Sequence, residues 1–188
     1  MKEYKKIIIA GFPGVGKSYA GTANPGVVAD LESSDFHWIY DKDGNKHQHP
    51  AWPYNYFQAA EMLALETEGL PDYKDLMYVC ISTHHEVLKI LKDHKIPFVI
   101  YAPESKDVAL RRYAERGSSE AFIKSLDENW DKYMNDLKEI DMPMIMSDTY
   151  LKEALDMDGT YAYMLDKINN VEKYVFGIDP EEEEEENG

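Results

Sequence analysis

Short apolar runs alternate with amphipathic stretches along this chain of 188 residues. The apolar runs, which predict buried strands, lie at 7–10, 27–29, 76–82, 97–101 and 142–146. The amphipathic stretches, which predict helices, lie at 56–68, 84–94, 106–116, 120–140, 150–155 and 161–168. Alternation of this kind is typical of parallel βαβ units, because two parallel strands need a crossover segment between them. The pattern and the length together predict a single α/β domain over 1–178.

Residues 11–18 read Gly-Phe-Pro-Gly-Val-Gly-Lys-Ser and match the pattern GxxxxGK[ST] in full. The first apolar run leads directly into this loop, which is the strand-to-helix setting that a phosphate-binding loop requires. Successive backbone N–H groups and the start of the next helix then converge on one polyphosphate. The residues predicted to bind a nucleotide are Gly11, Pro13, Gly14, Val15, Gly16, Lys17, Ser18 and Tyr19.

Two side chains of this loop are predicted to carry chemistry. Lys17 is expected to reach the β- and γ-phosphates, and the Ser18 hydroxyl is expected to bind Mg²⁺. The glycines permit backbone angles and a close approach that a Cβ atom would block.

All three arginines of the chain, Arg111, Arg112 and Arg116, lie within six residues. Arg112 and Arg116 are four residues apart and share a helix face, so both can point at one anion. Guanidinium groups suit the negative charge that phosphoryl transfer spreads over several oxygens. We predict Arg112 and Arg116 as catalytic residues and Arg111 as a nucleotide-binding residue in lid-like helices at 105–125. The alternative is a solvated helix face, with Glu115 as the partner of the arginines.

The second predicted strand leads to Asp30. A carboxylate at a strand end can accept a proton from an attacking hydroxyl or hold Mg²⁺. The third strand ends without the aspartate that usually holds Mg²⁺ through water in P-loop proteins. We therefore predict Asp30 as a catalytic residue and, with Ser18, as a metal ligand; a turn or capping role is the alternative.

The segment 35–55 differs from its surroundings because it is rich in aromatic and turn-forming residues. Phe36, Trp38 and Tyr40 alternate with polar residues, and Asp43-Gly44 is a hairpin-turn signal. The position after the second strand predicts an insertion on the acceptor side of the sheet, where ligands of α/β proteins bind. Its aromatic rings either stack on a ligand ring or pack the hairpin onto the domain.

The composition excludes several classes of protein. The formal net charge is −16, and seven of the acidic residues lie in 179–188, so the rest of the chain is acidic as well. An acidic surface repels DNA phosphates, so general DNA binding is not expected, and the like-charge tail at 179–188 is predicted to be disordered. Cys80 is the only cysteine, which excludes an intrachain disulfide and favours a reducing, cytoplasmic location. The first apolar run is too short for a signal peptide or a membrane span, so no membrane association is expected.

The glycine loop, Asp30 and the arginine cluster together resemble the P-loop nucleoside and nucleotide kinases, including small bacteriophage kinases. The resemblance covers about 5–155 and implies a three-layer fold with a five-stranded parallel sheet of order 2-3-1-4-5. It also implies ATP with Mg²⁺ as the phosphate donor, a nucleoside- or nucleotide-type acceptor and a nucleobase pocket near 147–150. The chain departs from nucleoside monophosphate kinases because it has no arginine near its second and third elements to hold an acceptor phosphate. Either Lys42, Lys46 or His47 replaces that arginine, or the acceptor offers a hydroxyl.

Three alternatives to a small-molecule kinase stay open at this point. The compact build also resembles phage kinases that phosphorylate 5-hydroxymethyluracil in DNA, although the acidic charge counts against a polymeric substrate. The second alternative is a nucleotide hydrolase without an acceptor. The third is a nucleotide-binding interaction module that acts through its acidic tail.

Overall fold

A computed structural model describes residues 6–65 and 73–177 of the chain. The acidic tail at 179–188 and the end of the helix predicted at 56–68 lie outside these ranges. The strands, in chain order, are β1 (Ile7–Gly11), β2 (Val28–Asp30), β3 (Trp38–Tyr40), β4 (Lys46–Gln48), β5 (Tyr78–Ser82), β6 (Phe98–Ala102) and β7 (Met144–Met146).

Five of these strands form one parallel sheet in the order β2-β5-β1-β6-β7. The predicted α/β class, with a five-stranded parallel sheet flanked by helices, is confirmed. The strand numbers differ from 2-3-1-4-5 because β3 and β4 form a separate antiparallel hairpin between the second and third strands of the main sheet. Every residue of β1 and of β6 is buried. This burial explains why the strands read as continuous apolar runs, since a sheet covered on both faces has no polar side.

The helices, in chain order, are α1 (Lys17–Ala23), α2 (Ser34–His37), α3 (Tyr54–Leu65), α4 (His85–Asp93), α5 (Lys106–Glu115), α6 (Glu120–Glu139), α7 (Leu151–Leu155) and α8 (Thr160–Tyr174). Helix α3 packs against β1 and β5, and α8 packs against β1 and β6. Helix α6 begins at Ser119, whose side chain accepts a hydrogen bond from the Phe122 N–H, as a serine cap should. Within 6–65 and 73–177, no helix is both long and apolar enough to cross a membrane.

The insertion at 35–55 contains the end of α2, the β3-β4 hairpin and the loop that leads into α3. Phe36 and Trp52 pack their rings against Tyr56, with centroid separations of 5.2 and 5.6 Å. Tyr40, in contrast, is 67% exposed. The aromatic residues of the insertion therefore fall into two groups. Phe36 and Trp52 pack the insertion onto the domain, whereas Tyr40 is exposed.

Tyr56 joins two segments at the carboxyl edge of the sheet. Its side chain is fully buried, and its hydroxyl donates to the Leu31 carbonyl at 2.7 Å and accepts from the Ser82 N–H at 2.9 Å. Burial raises the pKa of Tyr56 to about 12, so the hydroxyl keeps its proton and both hydrogen bonds. This one side chain therefore holds the loop after β2 against the end of β5.

We expect Tyr56→Phe to lower the free energy of unfolding by about 1–3 kcal/mol, because two partly buried backbone groups lose their partner. Urea denaturation measures the change. Tyr54→Phe is the matched control in the same helix, since Tyr54 is 57% exposed, and it should change stability little. Equal effects of the two substitutions would contradict the linking role of Tyr56.

Candidate functional site

The carboxyl ends of the five parallel strands meet at one edge of the sheet. There Gly11 is in register with Ser82 on one side and with Tyr101 on the other. A cavity of about 470 Å³, here called the loop cavity, opens at this edge. Its size lies within the range of ligand-binding pockets.

Most of the residues predicted to bind nucleotide line the loop cavity. From the glycine loop and the first turn of α1 they are Pro13, Gly14, Gly16, Lys17, Ser18 and Tyr19. Arg112, in α5, and Arg116, the residue that follows its last turn, line the same cavity, as their spacing predicted. The predicted residues that are not part of its lining are Gly11, Val15, Asp30 and Arg111.

The glycine loop is anchored at several points. The Phe12 N–H donates to the Tyr101 carbonyl at 2.8 Å, and the Leu151 N–H donates to the Val15 carbonyl at 2.9 Å. Val15 itself is 1% exposed, so its side chain belongs to the core. The loop is therefore fixed to β6, to the start of α7 and to the interior of the domain.

Two glycines of the loop have left-handed backbone angles, and a tyrosine ring covers each of them. Gly14 has φ +84°, and a Cβ there would lie 3.1 Å from the Tyr113 ring. Gly16 has φ +94°, and a Cβ there would lie 3.2 Å from the Tyr150 ring. Both the backbone angle and the neighbouring ring thus require glycine at each position.

Lys17 lies inside the loop that precedes it. Its Nζ donates to the Gly11 carbonyl at 2.8 Å, and a Cβ on Gly11 would come within 2.8 Å of the Lys17 stem. Burial lowers the pKa of Lys17, and the Asp30 carboxylate opposes this effect. Glycine at position 11 therefore gives the lysine stem the room it needs to turn back along the loop.

Neighbouring tyrosines and a backbone carbonyl position the arginines. The Arg112 guanidinium lies 3.9 Å from the centroid of the Tyr150 ring and donates to the Asp148 carbonyl. The Arg116 guanidinium lies 5.2 Å from the centroid of the Tyr113 ring. Stacking on a ring leaves the edge of a guanidinium group free to donate hydrogen bonds to an anion.

Arg111 has a different environment. Its Nε lies 3.9 Å from the Glu115 carboxylate, and both side chains are more than 60% exposed. Consecutive residues of an α-helix point about 100° apart, and Arg112 lines the loop cavity whereas Arg111 does not. The solvated-face alternative therefore describes Arg111, and the prediction that it helps to form the nucleotide site has no support from its position.

Asp148 organises the start of α5, which sequence reasoning missed. Its carboxylate accepts hydrogen bonds from the backbone N–H groups of Glu104 and Ser105 at 3.1 and 2.9 Å, and from the Ser105 hydroxyl. The Ser105 hydroxyl holds the pKa of Asp148 below its usual value. Because the Asp148 carbonyl also accepts from Arg112, this residue connects the cap of α5 to the arginine.

Asp30 lies behind the loop cavity, next to Ser18 and Lys17. Burial raises the pKa of Asp30, while the Ser18 hydroxyl and the Lys17 ammonium group lower it. Its buried Oδ1 has no hydrogen-bond partner among the described residues. Nor do the described ranges contain a group of three His, Cys, Asp or Glu side chains placed to hold a metal ion. Any metal at this site would thus depend on Ser18, Asp30 and the ligand's own oxygens.

The loop cavity also has walls whose role the sequence did not signal. Among them are Glu32, Ser82, His84 and Tyr150. The resemblance implies a nucleobase pocket near 147–150, and in this segment the Tyr150 ring carries Arg112 on one face. A tyrosine that follows a strand has no pattern that distinguishes it from a core or surface aromatic residue, so only the fold reveals its position.

No protein-family model matches the chain, and no match was found among curated proteins. The chemistry of the loop cavity is therefore inferred from the side chains that line it.

The tyrosine above Gly16 leads to a test of the loop. Gly16 and Gly159 both precede a helix with left-handed angles, but a Cβ on Gly159 would meet no atom within 4 Å. We expect Gly159→Ala to cost about 1–2 kcal/mol of stability through backbone strain alone. Gly16→Ala should cost about 1–3 kcal/mol more, because its methyl group also pushes against Tyr150.

Urea denaturation of both variants measures this difference. Adding Tyr150→Ala should remove most of the extra cost of Gly16→Ala. Equal costs for Gly16→Ala and Gly159→Ala would show that the ring imposes no constraint on the loop.

Proposed function

We propose that this protein is a P-loop phosphotransferase that moves the γ-phosphate of ATP, bound with Mg²⁺, to a nucleoside- or nucleotide-type acceptor. The main support for this proposal is that Lys17, Arg112 and Arg116 line one cavity together with the glycine loop. The chain has a formal net charge of −16, so three cationic groups on one cavity indicate an anionic ligand.

The cationic groups differ in ways that suit a polyphosphate. Lys17 supplies a compact point charge at the loop, while Arg112 and Arg116 supply planar forks that bind two oxygens at once. Backbone N–H groups of the glycine loop add donors that need no side chain. Together they would hold the donor's phosphates and neutralise the charge that develops on the transferred group.

The side chains next to the loop fit Mg²⁺. The Ser18 hydroxyl lines the cavity, and the adjacent Asp30 carboxylate has an oxygen without a partner among the described residues. Mg²⁺ in phosphoryl-transfer sites takes few protein ligands and completes its shell with water and phosphate oxygens. Ser18 would hold the ion, with Asp30 supporting that hydroxyl. When bound, Mg²⁺ neutralises charge on the phosphate oxygens.

The topology and the helices above the cavity support the same proposal. The glycine loop follows β1, the middle strand of the sheet. The strand order of the main sheet, β2-β5-β1-β6-β7, places the start of the loop between β5 and β6 and is compatible with the proposal. Gly117, with φ +80° and no atom near its Cβ position, separates α5 from α6. It would serve as the hinge of a lid that carries Arg112 and Arg116.

Lys17→Ala tests the donor site. We expect the variant to keep its fold, because Lys17 is the first residue of α1 and is not part of the hydrophobic core, and to lose phosphoryl transfer by about 100-fold or more. The assay uses labelled ATP, Mg²⁺ and a panel of nucleosides, nucleotides and DNA containing 5-hydroxymethyluracil. Equilibrium binding of ATP is measured alongside it, with Lys173→Ala as the control on an exposed lysine of α8. Transfer by Lys17→Ala at the parent's rate would refute the proposal, and ATP turnover that no acceptor changes would favour a hydrolase.

The arginines permit a matched comparison within one helix. Arg112→Lys and Arg116→Lys keep the charge but lose the planar fork, so turnover should fall by about 10- to 100-fold while ATP affinity changes less. Arg111→Lys should leave both unchanged, because Arg111 lies outside the cavity. Steady-state kinetics and ATP binding separate the two effects. Similar behaviour of all three variants would mean that the arginines act only as a general positive charge.

A further inference from the structure

A second cavity lies beside the loop cavity, between the glycine loop and the helices α5 and α6. Its volume is about 330 Å³, and its walls include the apolar side chains of Phe12, Phe122, Leu126 and Leu137. We call it the apolar cavity. No lysine or arginine of the described chain lines it.

The two cavities share a wall. Pro13, Ser82 and His84 line both of them. The two cavities are therefore adjacent, and a ligand in the apolar cavity would lie next to a ligand in the loop cavity. This is the arrangement that a two-substrate transfer reaction needs, since the donor and acceptor atoms must come into contact.

The Tyr113 hydroxyl is buried beside the apolar cavity, against Gly14 of the glycine loop. Tyr113 lines this cavity and is 1% exposed, and its hydroxyl forms no hydrogen bond within the described residues. Native proteins rarely leave such a group unsatisfied, so each case indicates a missing water or ligand. The Phe122 ring meets the Tyr113 ring edge-on at 5.1 Å and is itself 46% exposed. An aromatic wall with a buried, unpartnered hydroxyl beside it suits a flat ring that carries a hydrogen-bond acceptor.

His84 occupies the shared wall in a fixed orientation. Its Nδ1 lies 2.6 Å from Ser82 Oγ, and its ring packs edge-on against Trp52 and His37, at 5.0 and 5.6 Å between centroids. When Nδ1 donates to Ser82 Oγ, Nε2 keeps a lone pair that can accept a proton.

Several ionisable groups act on His84. Burial lowers its pKa, and the charges of His37 and Lys17 lower it further, while Glu86 and Glu32 raise it. The imidazole is therefore neutral at neutral pH. The Trp52 Nε1–H donates to Glu86 at 3.1 Å, which holds that carboxylate beside the same cluster of rings.

We propose that the apolar cavity holds the phosphate acceptor, that this acceptor is an uncharged compound with a flat ring and a hydroxyl group, and that His84 takes the hydroxyl proton. The inference rests on the proposed function, because the donor is the nucleoside triphosphate of the loop cavity. The acceptor oxygen forms a bond to the γ-phosphorus as the bond from that phosphorus to the β–γ bridging oxygen breaks. The proton passes to His84 Nε2 and then to solvent, and the nucleoside diphosphate leaves.

The acceptor is inferred to be uncharged because of the residues that line the apolar cavity. A phosphate-bearing acceptor would bring a dianion into a cavity that lacks a lysine or arginine in the described chain, and burying such a charge unpaired is costly. Two of the three side chains considered for an acceptor phosphate have partners elsewhere, and the third, Lys42, does not line the apolar cavity. Lys46 Nζ lies 4.1 Å from the Trp38 ring centroid, and His47 Nε2 lies 3.0 Å from the Asp41 carboxylate. Neither lines the apolar cavity.

The acceptor class is tested with matched pairs. Thymidine, uridine and adenosine are each compared with their own 5′-monophosphates, with Mg²⁺ and γ-labelled ATP, and binding is measured by equilibrium dialysis. We expect at least one nucleoside to bind and accept phosphate with at least a 10-fold advantage over its monophosphate. Preference for a monophosphate would overturn the inference, as would binding of no nucleoside by protein that binds ATP. Absence of ATP binding would refute the proposed function itself.

The cavity is tested with variants of its wall. Phe122→Ala should raise the KM and the dialysis Kd of that nucleoside about 10-fold and leave the ATP KM unchanged. Tyr113→Phe should weaken nucleoside binding without lowering the Tm, because it removes a hydroxyl that has no partner. Tyr163→Ala is the control, since Tyr163 is 52% exposed on α8 and lines neither cavity. Unchanged nucleoside binding in Phe122→Ala and Tyr113→Phe would place the acceptor elsewhere.

His84→Gln tests the proton transfer. Loss of general base catalysis should lower kcat by about 10²- to 10⁴-fold while the nucleoside Kd changes little. In the parent, kcat should rise with pH through the His84 pKa, which lies below 6.5, and level off above it, because only the neutral ring accepts a proton. His84→Gln should lose this rise, whereas His47→Gln, on the hairpin, should keep it.

A competing base is present in the loop cavity. Glu32 lines it and could accept the proton instead, so Glu32→Gln is measured in parallel. If the low-pH rise disappears in Glu32→Gln and persists in His84→Gln, the assignment of His84 is wrong. The His84 ring resonances, followed by NMR in the parent, should also shift when the nucleoside is added without ATP.

Discussion

The burial of β1 is the constraint on which the candidate site depends. This strand lies in the middle of the sheet, all its residues are buried, and it pairs with β5 and β6 along its length. The glycine loop begins at its end and is fixed again by Phe12 to β6 and by Val15 to the start of α7. A loop anchored in this way presents its backbone N–H groups without further ordering. Preorganised donors of this kind are more effective than donors that must be ordered on binding.

Two tyrosine rings couple the loop to the arginines. Tyr113 covers Gly14 and lies under the Arg116 guanidinium, and Tyr150 covers Gly16 and stacks on Arg112. The glycines thus serve two purposes, since they permit left-handed angles and leave space for the rings. A side chain at Gly16 would displace Tyr150 and with it the support of Arg112. The conformation of the glycine loop and the position of the Arg112 guanidinium therefore depend on each other through Tyr150.

The sheet could be predicted from the sequence because parallel strands buried on both faces have no polar positions, and such runs are plain in 7–10 and 97–101. The convergence of Lys17 with Arg112 and Arg116 was also predictable, because the i, i+4 spacing places both arginines on one face. Helix geometry could equally have excluded Arg111, which is next to Arg112 and points away from it. The prediction for Arg111 treated a cluster in sequence as a cluster in space, and its position outside the cavity lining gives that prediction no support.

Other parts of the site have no sequence signal. Tyr113 and Tyr150 lie far from the loop in the chain, and nothing in their spacing relates them to Gly14 or Gly16. The apolar cavity arises where α6 passes the loop, with Trp130 packed against Phe12 at 5.7 Å, so its walls come from segments more than 100 residues apart. The amphipathic pattern at 120–140 predicts only that one side of α6 is buried. Which apolar residues stay partly exposed, as Phe122 does, depends on tertiary packing.

The different linings of the two cavities have a consequence for turnover. Under the proposed function, the donor would carry several negative charges and would meet Lys17 and the arginines, whereas a neutral acceptor would need no cation in the apolar cavity. Phosphoryl transfer would convert that acceptor into an anion in a cavity whose described walls contain no lysine or arginine. The product would then be held less tightly than the substrate, because its new charge is desolvated without a partner. Product release often limits turnover in such enzymes, so this mismatch would favour release once the chemistry is complete. The same lack of cations that selects an uncharged acceptor would thus expel the phosphorylated product.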